Sequence, residues 1–148
     1  MKNFIFFACL IFCLHIQAQS DDPKQLVVDF FEAFHEQDTV KLQALATESL
    51  QLKSVSADSE GETTISTTAY PEFIKNIASI PKQMDFEEKI LDYKVEENGL
   101  LATVTTPYIF YYNGNKSHCG TNVFNLAKID GSWKILFLMD SRSREECD

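Results

Sequence analysis

The chain has few positive charges. Its 148 residues contain 13 Lys and Arg against 22 Asp and Glu, which gives a formal net charge of −9. Proteins that bind nucleic acid neutralise phosphates with Lys and Arg, so this balance argues against nucleic acid as a partner. Peripheral binding to anionic lipid is disfavoured for the same reason. We interpret the acidity as a contribution to solubility.

The one long apolar run lies at the N-terminus and is too short to span a membrane. Phe4–Ile16 is nearly all apolar and follows the basic Lys2, while Ile16-Gln17-Ala18 suits a signal-peptide cleavage site. Thirteen residues extend about 20 Å as a helix, whereas the hydrocarbon core of a bilayer is about 30 Å thick. We therefore expect a signal peptide at residues 1–18, secretion to the bacterial periplasm, and no stable membrane anchor after processing.

Cysteine is scarce once the expected signal peptide is removed. Residues 1–18 contain two of the four cysteines and one charged residue, Lys2, so their removal leaves a single domain, residues 19–148, with a net charge of −10. The remaining Cys119 and Cys147 form an even pair in an oxidising compartment and predict a disulfide, with two free thiols as the alternative. Neither a CxxC nor an HxxxH spacing occurs, so no metal site is expected.

The remaining residues predict an α+β domain. Helix-start signals occur at Asp22-Pro23, at Asp38-Thr39 and at Thr68, and the third helix should end at Pro81. Strand-like alternation fills the other segments, namely Ser49–Ala57, Thr63–Thr67, Phe86–Val95 and Leu100–Tyr112. Helices followed by a meander of antiparallel strands indicate one sheet that curls around the helices.

The strongest local signal is a hairpin near the C-terminus. Asp130-Gly131 separates two β-rich runs, and a turn at this pair would place Ile129 opposite Ser132. The register follows from this turn, and one face is rich in aromatic residues and carries Trp133, Ile135, Phe137 and Met139 opposite Lys128, Leu126, Phe124 and Asn122. Asp140 then lies on the other face. We expect the helices to cover the aromatic face.

Three segments of the chain resemble one known family. Val28–Phe34, followed by Asp38-Thr39, is similar to the first helix of that family and the cap of its second helix. Tyr70–Ile74 is similar to the third helix of the family, and Leu126–Ile135 is similar to its final hairpin. The family is the nuclear transport factor 2-like superfamily, which includes SnoaL-like and lumazine-binding groups. The late Cys147 resembles its secreted bacterial members. The resemblance implies a cone-shaped curved antiparallel sheet wrapped around three N-terminal helices, with a pocket between sheet and helices.

The resemblance implies several functions and does not choose between them. Members of the superfamily catalyse isomerisation, cyclisation or dehydration, or simply bind ligands. Its enzymes place an Asp or His in the pocket as acid or base, and the predicted aromatic face carries no Asp–His pair. We therefore expect a secreted small-ligand-binding or scaffold domain without a cofactor. The alternatives are an isomerase, cyclase or dehydratase acting on a small apolar molecule, and a homodimerisation module that uses the outer sheet face.

The expected pocket wall is the aromatic face of the hairpin. At its open end we place His118, Asn122 and Met139, and deeper Phe124, Phe137 and Trp133. A partly solvated, structural role is the alternative for His118. Asp140 and Arg142 are two residues apart and therefore share a strand face. They are predicted to form either a polar site for an anion or partner, or a surface ion pair.

Overall fold

In a computed structural model, which describes residues 21–58, 60–145 and 147, the chain forms three helices and seven strands. The helices are α1 (Pro23–Glu36), α2 (Thr39–Leu45) and α3 (Tyr70–Ser79). The strands are β1 (Ala46–Ala57), β2 (Thr63–Ala69), β3 (Phe86–Ile90), β4 (Lys94–Asn98), β5 (Leu101–Tyr112), β6 (Asn115–Ile129) and β7 (Ser132–Arg142). The predicted α+β class is confirmed. The predicted signal peptide lies outside the described residues.

Local capping explains where the first two helices begin. The Asp22 carboxylate accepts a hydrogen bond from the Lys24 amide at 2.8 Å, and the Asp38 carboxylate accepts one from the Lys41 amide at 2.9 Å. Pro23 occupies the first turn of α1, where a backbone N–H would have no helical partner. No helix in the described part of the chain is long and apolar enough to cross a bilayer.

The strands form one curved, unclosed sheet in the order β2-β1-β7-β6-β5-β3, and β4 also pairs with β5. All neighbouring strands are antiparallel except β1 and β7, which run parallel. The expected curved sheet is therefore antiparallel apart from this one pair. A parallel pair needs a long connection, and here α3 and five strands lie between β1 and β7 along the chain.

The helices cover the inner face of the sheet. Phe30 and Phe31 of α1 each pack edge-on against Phe124 of β6, with ring centroids 5.3 and 5.6 Å apart. Trp133 of β7 is fully buried, and its indole N–H donates a hydrogen bond to the carbonyl oxygen of Asp21 at 3.1 Å. This bond ties the start of α1 to the hairpin that carries the core.

The predicted register of the β6–β7 hairpin holds only near the turn. From Ile129–Ser132 to Leu126–Ile135 the pairs are those expected, but Asn125 then pairs with Phe137. Leu136 is thus an extra residue on β7, a β-bulge that reverses which side chains face inward. Leu138 and Asp140 lie on the cavity side, and Phe137 and Met139 do not. The prediction that Phe137 and Met139 face the pocket and Asp140 faces away was wrong.

Candidate functional site

A cavity of about 340 Å³ lies between the helices and the inner face of the sheet. Its apolar wall consists of Phe30, Phe31, Phe34, Leu52, Phe73, Ile77, Phe110, Phe124 and Leu138. Its polar end consists of Ser54, Glu88, Tyr108, His118, Asn122, Asp140 and Arg142, and Lys53 and Thr68 complete the lining. An apolar wall with a few converging polar groups is the usual form of a small-molecule site.

Asp140, at the polar end, has hydrogen-bond donors on both of its carboxylate oxygens. The Ser54 hydroxyl donates to Oδ1, and Arg142 Nε donates to Oδ2 at 2.6 Å. The Tyr108 hydroxyl lies 3.3 Å from Oδ2 and 3.0 Å from the carbonyl oxygen of Ser141, so its one proton is shared between two acceptors. Burial, together with the negative charges of Asp140 and Glu88, raises the pKa of Tyr108. Tyr108 therefore stays protonated and acts as a donor.

Glu88 is the second carboxylate of the polar end and has fewer partners. Asn122 Nδ2 donates to Glu88 Oε1 at 2.6 Å and lies 3.3 Å from the hydroxyl of Thr106. Burial raises the pKa of Glu88 to about 7, assisted by the charge of Asp140 and opposed by Asn122 and Arg142. Glu88 therefore exchanges its proton near neutral pH. Among the described residues, no group of three His, Cys, Asp or Glu could hold a metal ion.

His118 is held at the polar end by aromatic neighbours. Its ring stacks on Phe110 with centroids 4.8 Å apart and meets Tyr108 edge-on at 5.9 Å. Nδ1 lies 3.2 Å from the hydroxyl of Ser117. Burial lowers the pKa of His118, and the positive charges of Arg142 and Arg144 lower it further, while the negative charge of Asp140 opposes them. The imidazole is therefore mostly neutral at pH 7, with Nε2 left for a ligand.

The structure brings together some of the predicted site residues and separates others. His118, Asn122 and Phe124 line the cavity together with Asp140 and Arg142. Trp133 is absent from the wall because it is buried in the core near the hairpin turn. Phe137 and Met139 are excluded by the bulge. Asp140 and Arg142 form the predicted ion pair, but it faces the cavity.

Glu88 and Ser54 were not predicted as site residues from the sequence. A signal for Glu88 was present, because Phe86, Glu88 and Ile90 alternate and therefore share one strand face. A carboxylate between two inward-facing apolar side chains marks a polar group directed at the interior. Ser54 gave no comparable signal, since its approach to Asp140 depends on the parallel pairing of β1 with β7.

The predicted Cys119–Cys147 disulfide is present and holds the C-terminal tail beside the polar end. The two Cα atoms are 5.5 Å apart, and the bridge closes a sequence separation of 28 residues. Ser143 and Cys119 exchange backbone hydrogen bonds of 2.8 and 2.9 Å. At the neighbouring Gly120, a Cβ would overlap the carbonyl group of Ser141, so only glycine permits this approach. The end of β7, which carries Arg142, is thus fixed against two adjacent residues of β6, Cys119 and Gly120.

Solved structures with the same architecture cover most of the chain. A protein of unknown function with a cystatin-like fold from Nostoc punctiforme PCC 73102 is 13% identical, with a TM-score of 0.62, over 82% of this chain and 88% of its own. A candidate ketosteroid isomerase from Shewanella frigidimarina NCIMB 400 is 18% identical, with a TM-score of 0.57, over 79% and 92%. A candidate scytalone dehydratase from Novosphingobium aromaticivorans DSM 12444 is 16% identical, with a TM-score of 0.59, over 80% of each chain.

These identities establish the fold alone, because one fold supports many functions. No protein of curated function matches the sequence. A family model described as a SnoaL-like domain matches residues 24–141, from the first turn of α1 to the penultimate residue of β7. The matched segment includes the cavity and nearly all of its polar end. The chain therefore belongs to the SnoaL-like domain family, within the predicted nuclear transport factor 2-like superfamily.

Proposed function

We propose that this protein binds a small molecule with an apolar body in the cavity between the helices and the sheet. The observation that carries the proposal is the cavity itself, about 340 Å³ bounded by phenylalanine rings and closed at one end by polar groups. A scaffold without a ligand would be expected to fill this space with Phe124. Instead Phe124 packs against α1 and leaves the cavity open.

The shape of the apolar wall favours a flat ligand. Phe73 of α3 stacks on Phe30 and on Phe34 with interplanar angles of 11° and 7°. The three rings are therefore nearly parallel to one another, and all three line the cavity. Each methylene group that a ligand buries there contributes about 0.8 kcal/mol. A ring system can gain this burial while losing little conformational freedom.

Binding can be tested with the neutral dye N-phenylnaphthylamine, whose fluorescence rises in an apolar site. We expect saturable binding by the wild type and at least about tenfold weaker binding by Leu138→Phe, which fills the cavity. Met139→Phe adds a ring one residue away on the other face and should bind as the wild type does. Absence of saturable binding, or equal effects of the two variants, would contradict the proposal.

A second candidate function is proton transfer, and Glu88 is the observation that favours it. A general acid or base works best when its pKa lies near the operating pH, and that of Glu88 is raised to about 7. Asp140 suits the role less well because donors occupy both of its oxygens. Two of the solved structures with a similar fold are a candidate isomerase and a candidate dehydratase, which agrees with this alternative.

Proton transfer can be tested with tetralone, a small flat ketone with exchangeable C–H groups. Proton NMR in deuterated buffer would follow loss of these hydrogens in the presence of the wild type and of Glu88→Gln. The enzyme alternative predicts faster exchange by the wild type than by buffer, and a loss of about 100-fold in the variant. Exchange no faster than in buffer would favour simple binding.

Export belongs to the same proposal. It is supported by the apolar run Phe4–Ile16 after Lys2, and by a disulfide, which is typical of oxidising compartments. Protein recovered from its native host should lack residues 1–18 by intact-mass measurement. A soluble full-length mass would contradict export through a cleaved signal peptide.

A further inference from the structure

We propose that the ligand of this cavity carries a carboxylate, which Arg142 and His118 bind at the polar end. The inference rests on the proposed ligand-binding function and deepens it by naming a chemical class, a flat apolar organic acid. A neutral apolar molecule would leave the donors of the polar end without acceptors. A carboxylate supplies two acceptor oxygens at that position.

The guanidinium of Arg142 has donors to spare. It lines the cavity from β7, and its side chain is 52% exposed. Within the described residues its Nε donates to Asp140 and neither Nη atom has a hydrogen-bond partner. Arginine carries five N–H donors in a planar fork, so the pairing with Asp140 leaves most of them available.

Arg142 is also held in position before a ligand arrives. Its partner Asp140 is fixed by the hydroxyls of Ser54 and Tyr108, which come from two other strands. The disulfide and the Ser143–Cys119 pair fix the backbone just after it. A donor that is already oriented loses little conformational entropy on binding, so each hydrogen bond contributes more to affinity.

His118 provides a second donor from the neighbouring strand. Stacking on Phe110 fixes its ring, and Nδ1 lies near the hydroxyl of Ser117. The other ring nitrogen, Nε2, has no hydrogen-bond partner in the part of the chain that the structure describes. A neutral imidazole can carry its proton on Nε2 and donate it to a carboxylate. His118 lies close enough to Arg142 for the positive charge of the guanidinium to lower the pKa of the imidazole.

The local charge suits an anion although the whole chain is acidic. The sequence contains only two arginines, and both lie at this end of the cavity, Arg142 at the end of β7 and Arg144 just after it. Asp140 is balanced by Arg142. Glu88 is the remaining acidic group, and its raised pKa allows it to be protonated when an anion is bound nearby. A doubly charged phosphate ester is less suited to a site with one arginine in contact.

The test compares naphthoate with naphthamide, which share a flat apolar body and differ in the carboxylate. Calorimetry with the disulfide-bonded protein near pH 6 should show naphthoate binding at least about tenfold more tightly, since hydrogen bonds to a charged group are the stronger ones. Arg142→Met should abolish this preference by weakening naphthoate binding far more than naphthamide binding. Arg144→Met, the matched control two residues along the tail, should alter the preference by less than about threefold.

Each alternative outcome has a distinct meaning. Equal affinity of the wild type for acid and amide, or a preference that survives Arg142→Met, would overturn the carboxylate assignment. Tighter binding of naphthyl phosphate than of naphthoate would also overturn it. If Arg142→Met fails to fold, Arg142→Lys serves as the test instead. It keeps the charge but loses the planar fork of donors, so it should retain only part of the preference for naphthoate. Failure of N-phenylnaphthylamine and both naphthyl probes to bind would instead reject the proposed function.

Discussion

The two halves of the β6–β7 hairpin bury different chemistry although they belong to the same pair of strands. Near the turn, Leu126, Trp133 and Ile135 are at most 1% exposed and belong to the apolar core. Beyond the bulge at Leu136, the inward positions carry first the apolar pair Phe124 and Leu138 and then the polar pair Asn122 and Asp140. One additional residue therefore allows a single sheet to support a core at one end and a polar site at the other.

The polar side chains of this half can be buried because hydrogen bonds connect them to one another and to neighbouring strands. Asn122 joins Glu88 to Thr106, and Asp140 joins Ser54 to Arg142. No buried side-chain nitrogen or oxygen among the described residues lacks a hydrogen-bond partner. Buried polar groups are costly when they are unpaired, so this half should depend on its network, as the other half depends on packing.

The largest expected effect tests which hairpin face is buried. Phe124→Ala removes a fully buried ring and should lower the free energy of unfolding by about 3–5 kcal/mol. Phe137→Ala, on the outer face beyond the bulge, should cost about 1 kcal/mol. Urea denaturation of the two variants measures both values. Equal losses would mean that the bulge does not reverse the faces.

The next effect concerns the tail that completes the polar half. Cys147→Ala removes a bridge across 28 residues and should cost about 2–4 kcal/mol by denaturation. Hydrogen exchange should show faster exchange at the Cys119 and Ser143 amides, with protection retained at Leu126 and Ile135. The double variant with Cys119→Ala should be no less stable than the single one. Loss of protection throughout the hairpin would show that its halves are not independent.

The elements that depend on local signals were predictable from the sequence, and those that depend on distant pairing were not. Asp22, Asp38 and the Asp130-Gly131 turn act within a few residues, so the first two helix starts and the hairpin were predictable. The parallel pairing of β1 with β7 joins residues far apart in the chain and has no local signal. The bulge at Leu136 has none either, because Leu136 is as apolar as its neighbours. The position of Asp140 depends on both features.

The stability of the polar half should depend on pH because Glu88 titrates there. Its pKa is raised from 4.5 to about 7, so between these values the folded protein holds a proton that the unfolded chain releases. This contribution to stability is present below pH 4.5 and is lost as the pH rises through 7. Glu88→Gln should therefore be more stable than the wild type above pH 7, by up to about 3 kcal/mol, and similar to it near pH 4. Denaturation curves across this range check the prediction, and a pH-independent difference would contradict it.

The smallest expected effect tests whether the polar half is a network. Tyr108→Phe and Ser54→Ala each remove a hydroxyl that contacts Asp140, and each should cost about 1 kcal/mol. Because they share one acceptor, a double-mutant cycle should give a coupling energy of at least about 0.5 kcal/mol. Tyr70→Phe is the matched control, since its hydroxyl donates to the carbonyl oxygen of Leu42 at 2.6 Å and has no partner in common with Ser54. Its cycle with Ser54→Ala should be additive within about 0.3 kcal/mol, and equal coupling in both cycles would mean that Asp140 is not the shared link.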